Sequence, residues 1–150
     1  KLLSDNWELK IGLKPHPMMS VKKLEIIKTL FNDIQCDMEI VDKPMDVVLP
    51  QYSLLITMAS GVIFDGMIEG LPVIRVGRSN SLNFDPADYM RSNPYDFRAQ
   101  TVEQLKILVS KLLLLEYEER MGVLNYGREF VKESFAPVNE STLQSFINTN

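Results

Sequence analysis

An α/β fold built on a parallel sheet is the class this chain predicts, on three observations. Short apolar runs alternate with stretches of helical periodicity along the chain. The run Leu54-Leu55-Ile56-Thr57-Met58 is nearly all apolar, the pattern of a strand buried on both faces of a parallel sheet. That run passes through Ala59-Ser60-Gly61 into an eight-residue helical stretch from Val62 to Glu69. Gly70-Leu71-Pro72 then stops the helix, and a second apolar run, Val73-Ile74-Arg75-Val76, follows. The sequence is therefore expected to form an open parallel sheet with helices on both faces.

Each element has a local reason. Residues 9–13 alternate apolar and polar, and the strand is cut off by Pro15. Ser20 is placed to cap a helix in which Val21, Leu24, Ile27, Leu30, Phe31 and Ile34 form one buried stripe, leaving Lys22, Lys23 and Lys28 to solvent. Residues 38–41 form a second strand, and the stretch from Pro44 to Pro50 has room for one helical turn. Residues 77–83 are rich in Gly, Ser and Asn and read as a loop. Asp85 and Pro86 open a short helix over 86–91, and Asp96-Phe97-Arg98-Ala99 is a small edge strand. Thr101, with Glu103 nearby, caps a helix whose inner stripe is Val102, Leu105, Leu108, Val109, Leu112 and Leu113. Residues 117–133 continue helically with a break expected near Gly122 or Gly127, and a last short helix falls at 141–148.

At 150 residues the chain is one domain, 1–150, long enough for a real core. A hydrophobic content of 45% and a mean hydropathy of -0.05 fit a folded globular protein. The net charge of -4 argues against a broad nucleic-acid footprint, so any anion site must be local. Cys36 is the single cysteine, which excludes an internal disulfide framework and fits a reducing, cytoplasmic setting. No apolar run reaches the roughly 20 residues that span a bilayer, so membrane association is expected to be peripheral at most. The chain opens at Lys1 inside what reads as a helix end, and it is expected to be a piece of a longer protein.

Two loops at strand ends carry the chemistry. In Lys14-Pro15-His16-Pro17, the single histidine of the chain stands between two prolines, where a donating ring nitrogen could reach a phosphate. The plainer alternative is a surface histidine that orders its own turn. Ser60 and Gly61 open the next helix, where unpaired N–H groups and the helix dipole favour an anion. Ser60 is equally suited to capping that helix. Asp65 could accept hydrogen bonds from the hydroxyls of a ribose, or could be a solvated helix residue. Glu69 lies four residues on, on the same helix face, where a surface charge is the simpler reading. Arg78 could clamp a diphosphate or serve the solubility of its loop, beside Arg75, Ser79 and Asn80. No His, Asp and Glu cluster has metal-ligand spacing.

These motifs, in this order, resemble the C-terminal, donor-binding half of GT-B glycosyltransferases over about residues 8–77. Lys14-Pro15-His16-Pro17 looks like the turn shared by bacterial sialyltransferases, capsule polysaccharide transferases and glycerophosphotransferases of teichoic-acid synthesis. Ala59-Ser60-Gly61 is similar to their Ser/Thr pair after a strand, with Ala59 in place of one hydroxyl. The segment from Asp65 through Gly70-Leu71-Pro72-Val73-Ile74 is similar to a widespread Glu-Ala-Met-Ala-x-Gly-x-Pro-Val-Ile pattern, with Asp65 one methylene shorter than the usual glutamate. The resemblance implies a Rossmann-like domain, half of a GT-B architecture, that binds a nucleotide-activated sugar or CDP-polyol as donor substrate and needs no other cofactor. It implies Lys14, His16, Ser60, Gly61, Asp65 and Arg78 as donor-binding residues and His16 as a stabiliser of the leaving phosphate. The glycan acceptor and the catalytic acid or base would belong to another domain, and the parent would build surface polysaccharide at the cytoplasmic face of a membrane. Rival readings are a CDP-glycerol-type glycerophosphotransferase and a nucleotide-sugar 2-epimerase, the latter needing further carboxylates and a histidine for proton transfer beyond those this chain offers. A third is a non-catalytic sugar-nucleotide or protein-binding module, which Ala59 favours.

Overall fold

The structure is a computed structural model that describes residues 9–33, 38–58, 60–77, 95–135 and 139. The chain divides into two units, Lys1–Val48 and Leu49–Asn150.

The first unit is one right-sized crossover: strand β1 (Ile11–Leu13), helix α1 (Val21–Asp33) and strand β2 (Met38–Ile40). The strands are parallel, with Ile11 opposite Met38 and Leu13 opposite Ile40. A Lys10–Glu39 pair at 3.1 Å adds a surface contact along the same ladder. Ser20 caps α1 as expected, its Oγ accepting from the Lys23 N–H at 3.4 Å. The stripe of α1 is a correction. Leu24 and Ile27 are half-buried, but Val21 and Leu30 are exposed, as is Ile26. A two-stranded sheet is too narrow to cover the whole width of a helix face. Helix α2 (Met45–Val48) follows, opened by the Pro44 carbonyl, which accepts from both Val47 and Val48.

The second unit opens with a 3-10 turn at Leu49–Gln51. It continues with strand β3 (Leu55–Thr57), helix α3 (Val62–Ile68), strand β4 (Val73–Val76), strand β5 (Phe97–Ala99), helix α4 (Val102–Leu113) and helix α5 (Tyr117–Ser134). The sheet runs β3-β4-β5 with every pair parallel. Val73 and Ile74 point to opposite faces and both are buried, so both faces of β4 are covered. Ile63, Met67, Val73 and Phe130 form the core on one face, joining β4 to α3 and α5. Helix α4 packs on β4 and β5 through its buried residues Val109 and Leu112. The three-stranded unit thus shows the helix-sheet-helix layering that alternating strands and helices predict.

Three further expectations change. Among the described residues the strands form two sheets, of two and three strands, in place of the one sheet expected. Periodicity specifies such local pairs but not which strands from distant segments join. Second, β3 is not buried on both faces: Ile56 is 40% exposed and Met58 58%. As the outer strand of its sheet, β3 lacks the neighbours that surround β4. Third, α5 runs unbroken through Gly122 and Gly127. Gly127 is there for closeness, because a Cβ on it would lie 2.9 Å from the Met67 carbonyl oxygen of α3. The end of α3 is as predicted: Gly70 has φ 78, the left-handed conformation that a helix stop favours.

The Cys36 segment, the loop beyond Gly77, the helix at 86–91 and the helix at 141–148 lie outside the described residues. Among the described residues, no helix is long and apolar enough to cross a membrane.

Candidate functional site

His16 lies in the turn three residues past Leu13, the C-terminal end of β1, the end at which ligands meet open parallel sheets. Pro15 stops the strand and Pro17 shapes the turn. The turn closes through the Met19 N–H, which donates to the His16 carbonyl at 2.8 Å. The imidazole is exposed, and its Nδ1 accepts the Met18 N–H at 3.1 Å. A ring nitrogen that accepts cannot carry the proton, so the neutral ring holds its hydrogen on Nε2. His16 therefore orders its own turn through Nδ1, and Nε2 makes no contact within that turn. Lys14, two residues earlier, is exposed as well.

In the second unit, Ser60 and Gly61 follow the C-terminal end of β3, and Gly77 follows that of β4. These are adjacent parallel strands, so both turns lie at the same edge of this sheet. The Gly77 N–H is used there, donating to the Ala99 carbonyl at 3.1 Å. Gly61, in helical conformation, is the N-cap of α3 and makes no side-chain capping bond. Ser60 stands one residue further out, its Oγ accepting from the Val62 N–H at 3.4 Å. Its carbonyl accepts from Ile63 at 3.2 Å, and the Gly61 carbonyl accepts from Phe64 at 3.0 Å. The first N–H groups of α3, those of Val62, Ile63 and Phe64, are thus occupied within the turn. Asp65 on α3 and Glu69, the C-cap of that helix, are both exposed. Arg78 and Ala59 lie outside the described residues.

Arg75 was read from the sequence as a neighbour of the donor loop. It lies on β4, in the strand that the sequence predicts, but it is buried, only 4% exposed, and its guanidinium pairs with Asp96. Arg98, opposite Arg75 in the parallel register, reaches the same carboxylate at 3.1 Å. Sequence reasoning missed Asp96, although a signal was there. A charged residue inside an apolar strand needs a counter-charge, and Asp96 stands just before the neighbouring strand. Beside the pair, Arg75, Tyr95, Phe97, Val123 and Tyr126 line a cavity of about 10 Å³, room for about one water. That cluster belongs to the packing of the sheet. Among the described residues, no group of three His, Cys, Asp or Glu side chains is placed to hold a metal.

Compared with family models, with curated proteins and with solved structures, the chain matches none.

Proposed function

We propose that this chain binds the nucleotide phosphate of an activated sugar or polyol and forms the donor-binding half of a glycosyltransferase of surface polysaccharide synthesis. The observation that carries the reading is the His16 turn. An exposed imidazole stands at the C-terminal end of a parallel strand, anchored through Nδ1, with Nε2 left to donate. A second loop, Ser60-Gly61, stands at the corresponding end of another parallel strand, with the exposed Asp65 on the helix that follows. In this reading His16 and Lys14 of the first unit meet a donor phosphate, while in the second unit Ser60 and Gly61 offer a hydroxyl and an N–H to an anion and Asp65 offers a carboxylate to a ribose diol. The glycan acceptor and the group that deprotonates it belong to a partner domain of the parent at the cytoplasmic face of a membrane. The donor phosphate is stabilised as a leaving group by hydrogen bonds and cationic side chains.

Calorimetric titration with CMP, CDP and UDP tests the reading directly. His16→Ala removes a hydrogen bond to a charged phosphate and should cost roughly 1.5–3 kcal/mol, about 10- to 150-fold in affinity. Ser60→Ala should cost less, about 0.5–1.5 kcal/mol, because the Gly61 N–H still faces the ligand. Asp65→Asn should weaken the nucleotide through its ribose, so a 2′,3′-dideoxy analogue should not feel the change. Binding of none of the three nucleotides, or variants that melt earlier yet bind as well as the parent sequence, would return the domain to a structural or protein-binding module.

A further inference from the structure

The hydrogen bond inside the His16 turn says which form of the histidine meets the anion. The Met18 N–H is a backbone donor with no alternative protonation state, and it points at Nδ1 from 3.1 Å. The partner of one imidazole nitrogen sets which of the two carries hydrogen. The second turn bond, from Met19 to the His16 carbonyl, fixes the backbone on which Met18 is presented. Pro15 and Pro17 restrict the backbone on either side, so the arrangement is built into the motif rather than dependent on a distant contact. The only cationic side chain within two residues in sequence is Lys14, which is exposed.

From this geometry we infer that His16 meets its phosphate as a neutral imidazole donating from Nε2, with the Met18 amide as the positioning group that holds the tautomer. The inference rests on the donor-binding reading for the identity of the anion, but the tautomer stands on the turn alone. It assigns His16 the work of an uncharged hydrogen-bond donor. A neutral ring with Nδ1 engaged and Nε2 protonated has no lone pair to take a proton from an acceptor hydroxyl, so His16 is not the general base.

The chain has a single histidine, so one imidazole gives one unambiguous set of nitrogen resonances. In the unliganded protein at mildly alkaline pH, long-range nitrogen–proton NMR should show a protonated Nε2 and an unprotonated Nδ1. Met18→Pro, which removes the amide hydrogen, should move the ring toward a mixture of tautomers. A ring protonated on Nδ1, or tautomer populations indifferent to Met18→Pro in a variant that melts like the parent sequence, overturns the inference.

Two substitutions carry the test to binding, with CMP as probe at the same pH. A glutamine amide nitrogen lies near the position of histidine Nε2, and an asparagine amide near that of Nδ1. H16Q should therefore keep affinity within about 3-fold, because an uncharged donor remains in place. H16N can still accept the Met18 N–H but loses the outer donor, and should fall about tenfold or more. A large loss in H16Q equal to that in H16N would show that the ring acts as a cation. An H16N variant that binds normally would show that His16 only builds its turn. Absence of CMP binding by the parent sequence, with the Nε2 proton seen, would overturn the donor-binding reading and leave the tautomer assignment standing.

Discussion

Arg75 carries the clearest penalty for a single substitution in this chain. Its guanidinium is buried in the central strand and matched by the Asp96 carboxylate, which is itself 6% exposed. Removing one partner of a buried ion pair leaves an uncompensated charge in a low-dielectric setting. Arg98 still contacts Asp96, so Arg75→Met should sit at the low end of such losses, about 3 kcal/mol by urea unfolding. The double change Arg75→Met, Asp96→Leu should cost less than the single one, because no charge is stranded and Arg98 can turn to solvent. A single-variant loss under about 1 kcal/mol would mean that the pair is wetter than its burial indicates. By contrast, Lys14, His16, Asp65 and Glu69 are exposed, and substituting them should barely change stability. This separation lets binding variants be read without a folding artefact.

At the scale of elements, the helices are tied end to end by backbone groups that accept side-chain donors. Arg120 on α5 donates to the Leu113 and Leu115 carbonyls, each at 3.2 Å, closing the C-terminal end of α4. Arg128 does the same for the Ile68 carbonyl of α3 at 3.2 Å. The Thr101 cap is as the sequence predicts, and Gln104, which the sequence reading did not name, is the return partner of its capping box. The decisive contact is between α3 and α5, where Gly127 lets the helices touch and Phe64 stacks on Phe130 at 6.3 Å. Gly127→Ala adds a methyl that meets the Met67 backbone, which cannot swing aside as a side chain would. The expected loss is about 1–3 kcal/mol despite the better helix propensity of alanine. A thermal melt in which this variant is as stable as the parent sequence would show that α5 slides to accommodate the methyl. Nothing in the local sequence distinguishes this glycine from a helix breaker, so the expected interruption of α5 was a reading of propensity where packing governs.

Across the molecule, burial is unequal. In the second unit Ile63, Ile74 and Leu112 are fully buried, and both faces of β4 are covered. In the first unit the residues of β1 and β2 are half-buried or exposed, and α1 leaves Val21, Ile26 and Leu30 to solvent. Opening free energy follows buried apolar contact, so native-state hydrogen exchange should find β4 amides slowest and β1 and β2 amides at least about tenfold faster. Equal protection would show that the first unit gains cover from protein surface outside the described residues. The same contrast bears on function: the His16 turn stands on the less buried unit, and nucleotide that binds there should slow exchange in β1 before β4.

The sequence by itself determined the alternation of strands and helices, the start of α1 at Ser20, the stop of α3 at Gly70 and the two polar turns after β1 and β3. Each follows from neighbours a few residues apart: a capping hydroxyl, a left-handed glycine, a proline that ends a strand. Tertiary structure decided which strands pair, that β4 and not β3 is the enclosed one, that Arg75 faces Asp96, and that Gly127 brings two helices together. It also decided that Ser60 spends its acceptors inside its own turn and that His16 accepts the Met18 N–H through Nδ1. Those outcomes depend on what lies opposite a residue across a sheet or a helix interface, and one-dimensional spacing does not carry that distance.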